Sequence, residues 1–325
     1  MKILLLYKGY PRISHSYQLD EAEELNKTNN IMIISFDWEL FTIADNSLPY
    51  LLSHNPLNLL NDIKKFKPDF INSHYLDTFD ICKKLSKMLN NLPFTIRSHS
   101  FDILKDDYKI PKSLVSQINL TNSCQSIKVF PEFYNKLLSF GIKKEKLISS
   151  FPCINIKRFN LPNIPNGKNI MSGGAFLKKK NIADFILLSK KIKKIYPEKE
   201  ITYYSVIEEP LYFNEMDKLN KENGNPVIFK TCQPSEMPLE YKKHEWLIYG
   251  ACPILKTVGN PIMIAEAQAS GVGVIMYELR SELIEYVTEN GYLYKTHDEI
   301  LNTISKSFCE IKKENARLLS DRYQI

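Results

Sequence analysis

The sequence predicts an α/β chain of two successive domains, each a parallel sheet covered by helices. Three observations carry this prediction. Short apolar runs rich in Ile, Val, Phe and Tyr alternate with longer stretches of helical periodicity. The alternation pauses over a proline-containing stretch near the middle of the chain and then restarts. The 325 residues are enough for roughly two domains of about 150 residues each.

In the first half, residues 3–7, 31–36, 69–73, 94–98 and 118–122 read as buried strands, each followed by a loop or helix, and 147–151 closes the sheet. Pro152, Pro162 and Pro165, set among polar residues, suit a linker better than a regular element. Strands are then expected at 169–172, 201–205, 227–230, 246–249 and 272–276, and one lysine- and glutamate-rich helix from 297 to 322 ends the chain. The expected division is residues 1–155, a linker at 156–166, a second domain at 167–300, and a terminal helix at 301–325 that packs back on the first domain. No repeat and no low-complexity tract interrupts this pattern.

A hydrophobic content of 44% is ordinary for a globular chain, so two cores of normal size can form. No apolar run approaches the roughly 20 residues of a membrane-spanning helix, and the opening Met1-Lys2-Ile3-Leu4-Leu5-Leu6 reads as a first strand rather than a secretion signal. Six cysteines lie far apart with no C-x-x-C pair, which points to reduced core thiols in a cytoplasmic protein. The net charge of +6 is a mild excess spread along the chain, and no basic-aromatic motif accompanies it, which excludes a nucleic-acid module. Two lysine-rich helix faces, at Lys64, Lys65 and Lys67 and at Lys190, Lys191, Lys193 and Lys194, could meet anionic lipid at the inner face of a membrane or simply face solvent.

Ligands of open parallel sheets bind beyond the carboxyl ends of the strands, so chemistry is sought in those loops. The loop after the first strand, Lys8-Gly9-Tyr10-Pro11-Arg12-Ile13-Ser14, lacks the G-x-G-x-x-G of a dinucleotide site. In the second half, Gly259-Asn260-Pro261-Ile262 opens a short helix with Asn260 as N-cap and Pro261 in the first turn. Such a helix tip offers amide hydrogens to an anion or to sugar hydroxyls. Glu266, further along it among apolar and small residues, needs hydrogen-bond donors. A ribose diol supplies them; a neighbouring loop would do so equally well.

A second segment, Ser172-Gly173-Gly174-Ala175-Phe176-Leu177-Lys178-Lys179-Lys180, follows a strand and precedes a helix. Its glycines allow close backbone approach, and Lys179 and Lys180 can neutralise a diphosphate, although a solvated lysine turn would look the same. A third pair is His74 and His99, each just after a strand of the first domain and expected to face the cleft between domains, with Asp102 close enough to orient the His99 ring. A lone histidine is more often structural; two at equivalent strand ends favour function. No cluster with metal-ligand spacing appears.

In their order, these segments resemble the family 4 glycosyltransferases and their GT-B relatives over nearly the whole chain. The resemblance runs through Tyr10-Pro11-Arg12-Ile13-Ser14, Asn72-Ser73-His74-Tyr75, His99-Ser100-Phe101-Asp102-Ile103, Asn122-Ser123, the Gly141 stretch leading to Arg158-Phe159, the Gly174 loop, and Glu266-Ala267 with Gly271. It implies the GT-B architecture, two facing Rossmann-like domains with an interdomain cleft, and a retaining, metal-independent transfer from a nucleotide sugar, UDP-linked on family frequency, to a saccharide or lipid-linked acceptor in surface polysaccharide assembly. It implies no cofactor. Residue by residue, it places the ribose on Glu266, the diphosphate on Lys180 and the donor sugar on His99, with Gln233 beside the base; Arg12, Ser14, His74, Asp102 and Ser123 are expected at the acceptor or in the cleft.

Three positions depart from the family pattern. Val258 stands where a further glutamate is usual, Ala175 where an arginine neighbours the phosphate lysine, and Val206-Ile207-Glu208-Glu209-Pro210 replaces a glycine-rich turn. These losses keep open a catalytically inactive saccharide-binding protein, and the same frame also accommodates a sugar-nucleotide epimerase or hydrolase.

Overall fold

The computed structural model describes residues 1–36, 42–45, 47–104, 110–255, 261–280, 283–287, 291–320 and 322. The chain divides after Cys153 into two compact units. The first is built on strands β1 (Lys2–Lys8), β2 (Asn30–Phe36), β3 (Leu51–Leu52), β4 (Phe70–His74), β5 (Phe94–Arg97), β6 (Cys124–Val129) and β7 (Leu147–Ser149). They pair in the order β3-β2-β1-β4-β5-β6-β7, every pairing parallel. Helices α1 (Ser16–Asn26), α2 (Leu60–Phe66), α3 (Phe79–Met88), α4 (Ser100–Leu104), α5 (Lys112–Leu120) and α6 (Pro131–Ser139) lie in the connections.

Alternation along the strands sorts side chains between the two faces. Leu4, Leu6, Ile71, Phe94, Ile96 and Ile127 pack on one face with Phe79, Cys82 and Leu85 of α3. Ile3, Leu5 and Tyr7 pack on the other with Leu19 and Ala22 of α1. That second face turns polar away from β1. Register places Leu5 beside Asn72, Thr95 and Ser126 in one row, and His74 beside Arg97 and Lys128 in the next.

The second unit repeats the plan with β8 (Asn169–Gly173), β9 (Ile201–Tyr204), β10 (Ile228–Lys230), β11 (His244–Tyr249), β12 (Gly273–Tyr277) and β13 (Gly291–Tyr294). Their order is β10-β9-β8-β11-β12-β13, again wholly parallel. Its helices are α7 (Ile182–Ile195), α8 (Pro210–Glu222), α9 (Met237–Tyr241), α10 (Ile262–Ala269), α11 (Ile284–Val287), α12 (His297–Ile304) and α13 (Glu310–Ser320). In both sheets the strand order reverses once, between β1 and β4 and between β8 and β11. These are the switch points at which doubly wound sheets open a crevice for ligands.

Several expectations are corrected. Residues 118–122 are not a strand: α5 runs through Leu120 and the strand starts at Cys124. The expected linker is partly an element of the second unit, because residues 156–158 form a 3-10 turn and Phe159 is fully buried, edge-on to Tyr241 at 5.5 Å. The terminal helix is two helices, α12 starting at a Thr296–Glu299 capping box and α13 packing on α10 of its own unit. Of the cysteines, Cys82, Cys124, Cys153 and Cys232 are buried as expected, whereas Cys309 is exposed. No helix among the described residues is long and apolar enough to cross a membrane.

Candidate functional site

The β8–β11 switch point of the second unit is where the predicted glycines and lysines meet. A Cβ on Gly173 would lie 2.5 Å from the Tyr204 carbonyl oxygen and 2.8 Å from Met263 Cε, so only glycine lets β8, β9 and α10 approach this closely. Gly174 has φ +123°, and a Cβ there would meet Lys180 Cε at 3.1 Å. The loop is tied down by backbone bonds from Gly174 N–H to Tyr204 (3.0 Å), Phe176 N–H to Val206 (3.2 Å) and Cys252 N–H to Lys179 (2.9 Å). Lys178–Lys180 therefore form a fixed 3-10 turn at the N-terminal side of α7. The Lys180 amine meets the hydroxyl of Tyr249, the last residue of β11, and sits 4.7 Å from that ring's centroid. Burial pulls the pKa of Lys180 down to about 8 against the opposing charge of Glu208; for Lys179, burial and the neighbouring Lys180 charge do the same, also to about 8.

The tip of α10 borders this loop through the Gly173–Met263 contact. Pro261 occupies the N-cap position rather than the first turn, with extended backbone and no side-chain cap, and Ile262 is the first helical residue. Gly259, Asn260 and Val258 lie outside the described residues. Glu266, one turn beyond Met263, is buried, and its Oε2 accepts the Tyr241 hydroxyl at 2.7 Å. Burial, then the Glu266 charge, drives the Tyr241 pKa upward, so the phenol stays a donor. The carboxylate thus has a protein partner on α9 that sequence reasoning did not name. Through its backbone, Gln233, beyond β10, donates its N–H to the Glu236 carboxylate at 2.8 Å and accepts the Glu236 N–H on its carbonyl at 3.0 Å, which fixes the entry to α9.

In the first unit, His74 ends β4 and His99 follows β5, so both stand at the carboxyl edge of the sheet. His99 Nε2 is 3.1 Å from His74 Nδ1, and His74 Nε2 is 2.7 Å from Glu21 Oε2. Tyr7 donates to the same Glu21 oxygen at 2.7 Å and Asn72 Nδ2 at 3.1 Å. Tyr17 stacks on His74, and Tyr75, held at φ +72°, stacks on His99 with centroids 4.3 Å apart. A non-glycine residue at that φ stores backbone strain, which here sets a ring against the partly exposed imidazole. Burial would raise the pKa of Glu21, but the charge and hydrogen bond of His74, with Lys128 and Arg97 nearby, hold it well below the usual carboxylate range. Burial lowers the pKa of both histidines; at His74 Glu21 opposes it and Arg97 assists, and at His99 the His74 and Arg97 charges assist.

Two assignments in this unit change. The Oδ2 of Asp102 accepts the backbone N–H of His99 at 2.7 Å, a bond that starts α4, whereas the ring nitrogen of His99 is oriented by His74. Ser123 lies at the amino end of β6, its carbonyl accepting the Phe94 N–H at 2.9 Å, hence at the opposite edge of the sheet from the histidines. Its misplacement follows from reading 118–122 as the strand. Arg12 and Ser14 lie half-buried beyond β1, with the Arg12 guanidinium packed against Gly9. Glu21 was missed because Asp20-Glu21-Ala22-Glu23-Glu24 reads as a solvated acidic face. The signal that could have found it is the apolar Leu19 and Leu25 on either side of Ala22. Among the described residues, no cluster of three metal-ligating side chains occurs.

The sequence matches no family model and no curated protein. Solved structures match along the full chain. A glycosyltransferase from Rickettsia africae superposes with a TM-score of 0.70 at 15% identity, over 99% of this chain and 94% of the other. Anabaena HepE, solved in complex with UDP-glucose, gives 0.72 at 16% identity over 100% and 96%. The lipopolysaccharide outer core galactosyltransferase WaaB gives 0.55 at 14% identity over 99% and 100%. With two wholly parallel, doubly wound sheets joined in sequence and these full-length superpositions, the chain has the GT-B fold.

Proposed function

We propose that the chain is a glycosyltransferase that moves a sugar from a nucleotide diphosphate donor, a UDP-sugar, to a saccharide or lipid-linked acceptor, with retention and without a metal ion. The observation that carries this reading is the convergence of Gly173, Gly174, Lys180 and the tip of α10 at the β8–β11 switch point. Backbone amides and a partly buried ammonium suit a diphosphate, and Glu266 beside Tyr241 suits a ribose diol. HepE, of the same fold, is solved with UDP-glucose.

In this mechanism the main catalytic contribution is stabilisation of the departing diphosphate. Lys180 and Lys179 meet charge that grows as the glycosidic bond breaks, and they cost no reorganisation because the turn is already fixed. The leaving diphosphate then helps to take the acceptor's proton. His99 contacts the sugar. Ala175, where the resemblance expects an arginine, leaves this work to the lysines and amides.

A panel of UDP, GDP, ADP and CMP sugars tested by thermal shift addresses donor binding without a known acceptor. UDP-sugars are expected to raise Tm; silence across the whole panel overturns the reading. Ala175 also favours a second reading, a donor-binding protein without transfer, which a shift in Tm with no release of UDP in the presence of varied acceptors would support. His99→Ala is expected to slow transfer more than it weakens donor binding.

A further inference from the structure

We propose that Glu21 is a positioning residue which, through His74, fixes His99 as its Nε2–H tautomer and so presents Nδ1 of His99 as a hydrogen-bond acceptor to a ligand hydroxyl. The ligand class, a sugar hydroxyl, rests on the function proposed above; the proton order does not.

Each step follows from which atoms can donate. Glu21 Oε2 is surrounded by three groups, of which Tyr7 O–H and Asn72 N–H can only donate to it. An ionised carboxylate is an acceptor only, so His74 Nε2, at 2.7 Å, carries a hydrogen. His74 is almost wholly buried, with Arg97 and Lys128 aligned beside it on β5 and β6, which disfavours a second proton on the ring. Its Nδ1 is then a lone pair. The 3.1 Å contact to His99 requires one hydrogen, and His99 Nε2 supplies it. A neutral His99 ring has a single N–H, so Nδ1 is left as an acceptor.

Among the described residues, the groups around this chain include Tyr7 on β1, Tyr17 on α1, Tyr75 after β4, Arg97 on β5, Asp102 on α4, Lys128 on β6, Phe130 after it, Cys153 after β7 and His15 before α1. None donates to Nδ1 of His99, which among the described residues has no hydrogen-bond partner. The Tyr75 ring stacked on His99 fixes the plane of the imidazole. Together with the His74 bond, this stack leaves the ring one orientation.

The direction of this arrangement depends on a single proton. Were His74 to gain a proton, its Nδ1–H would donate to His99 Nε2, and the His99 hydrogen would move to Nδ1. An acceptor facing a ligand hydroxyl would become a donor. The state of the Glu21–His74 pair therefore decides what His99 offers.

Two-bond 1H–15N NMR of the histidine rings in the intact protein reads the tautomers without donor or acceptor, so it is independent of the function proposed above. At pH 7.5 both His74 and His99 are expected as Nε2–H forms, assigned by comparison with His74→Asn and His99→Asn. In Glu21→Gln, which keeps the volume but removes the fixed carboxylate, His74 is expected to lose its single tautomer. Sugar transfer in that variant should fall roughly 10–100-fold in kcat, with the donor KM within about twofold of the parent. A His99 ring found as Nδ1–H or as a mixture in the parent protein overturns the proposal, as does a Glu21→Gln variant with unchanged His74 tautomer.

Discussion

Tyr241 donates its hydroxyl to Glu266 across 2.7 Å, joining α9 to a buried carboxylate on α10. The bond decides how that carboxylate is aimed, because one oxygen is committed to a phenol that burial keeps protonated. Tyr241→Phe removes the donor and leaves buried charge under-satisfied. It should lower unfolding stability by about 1.5–3 kcal/mol, read in urea denaturation. Glu266→Ala should weaken UDP binding by roughly 10–100-fold, the worth of one charged hydrogen bond. Equal affinity of variant and parent by calorimetry removes Glu266 from the ribose.

Lys179 and Lys180 both titrate near 8 in the folded chain, against an ordinary value of 10.5. A depressed lysine means the unfolded chain holds more protons between those values, so stability rises as pH climbs through that window. Diphosphate binding runs the other way, since it favours the ammonium forms. UDP affinity should fall as pH rises from 7 to 9, and binding at pH 8 should take up about one proton in total. Calorimetry in buffers of differing ionisation enthalpy measures that uptake; its absence places the phosphates elsewhere.

Gly173 has no room for a methyl group, because the nearest obstacle is the Tyr204 carbonyl at 2.5 Å. Gly173→Ala must push β9 or the Met263 side chain aside. A loss of about 1–3 kcal/mol in stability is expected, together with a weaker thermal shift on UDP. Gly224, whose Cβ position is open but whose φ is +85°, provides the control, since substitution there strains backbone without touching the loop.

Phe159 lies in the stretch that its composition marks as a connector, yet no part of it is exposed. Phe159→Ala should destabilise the second unit by about 3–5 kcal/mol. A surface linker would lose almost nothing, so denaturation of this one variant separates the two descriptions.

The sequence made the sheets legible because buried parallel strands are short, apolar and regularly spaced; every expected strand but one overlaps an observed one. The exception, 118–122, shows the limit of that signal, since Ile118 and Leu120 could equally end an amphipathic helix, and do. Strands β3 and β13 were invisible for the opposite reason, being very short or, like Gly291–Tyr294, opened by a glycine. The lysine turn was found because glycines next to lysines after a strand have few other uses. Glu21 and Tyr241 were not, because each acts through a partner far away in the chain: 53 positions separate Glu21 from His74, and 25 separate Tyr241 from Glu266. Asp102 failed in reverse, where nearness in sequence to His99 suggested a ring contact that backbone capping took instead.

The row His74, Arg97 and Lys128 across three adjacent strands has a consequence for how the first sheet assembles. Strand β5 alternates apolar Phe94 and Ile96 with polar Thr95 and Arg97, so slipping it by a single residue would drive Arg97 into the packing of Phe79 and Leu85 and bring Ile96 against Glu21. A misaligned sheet would thus bury an unmatched cation and strand an anion. The same residues that equip the strand ends chemically also reject incorrect pairings while the chain is folding.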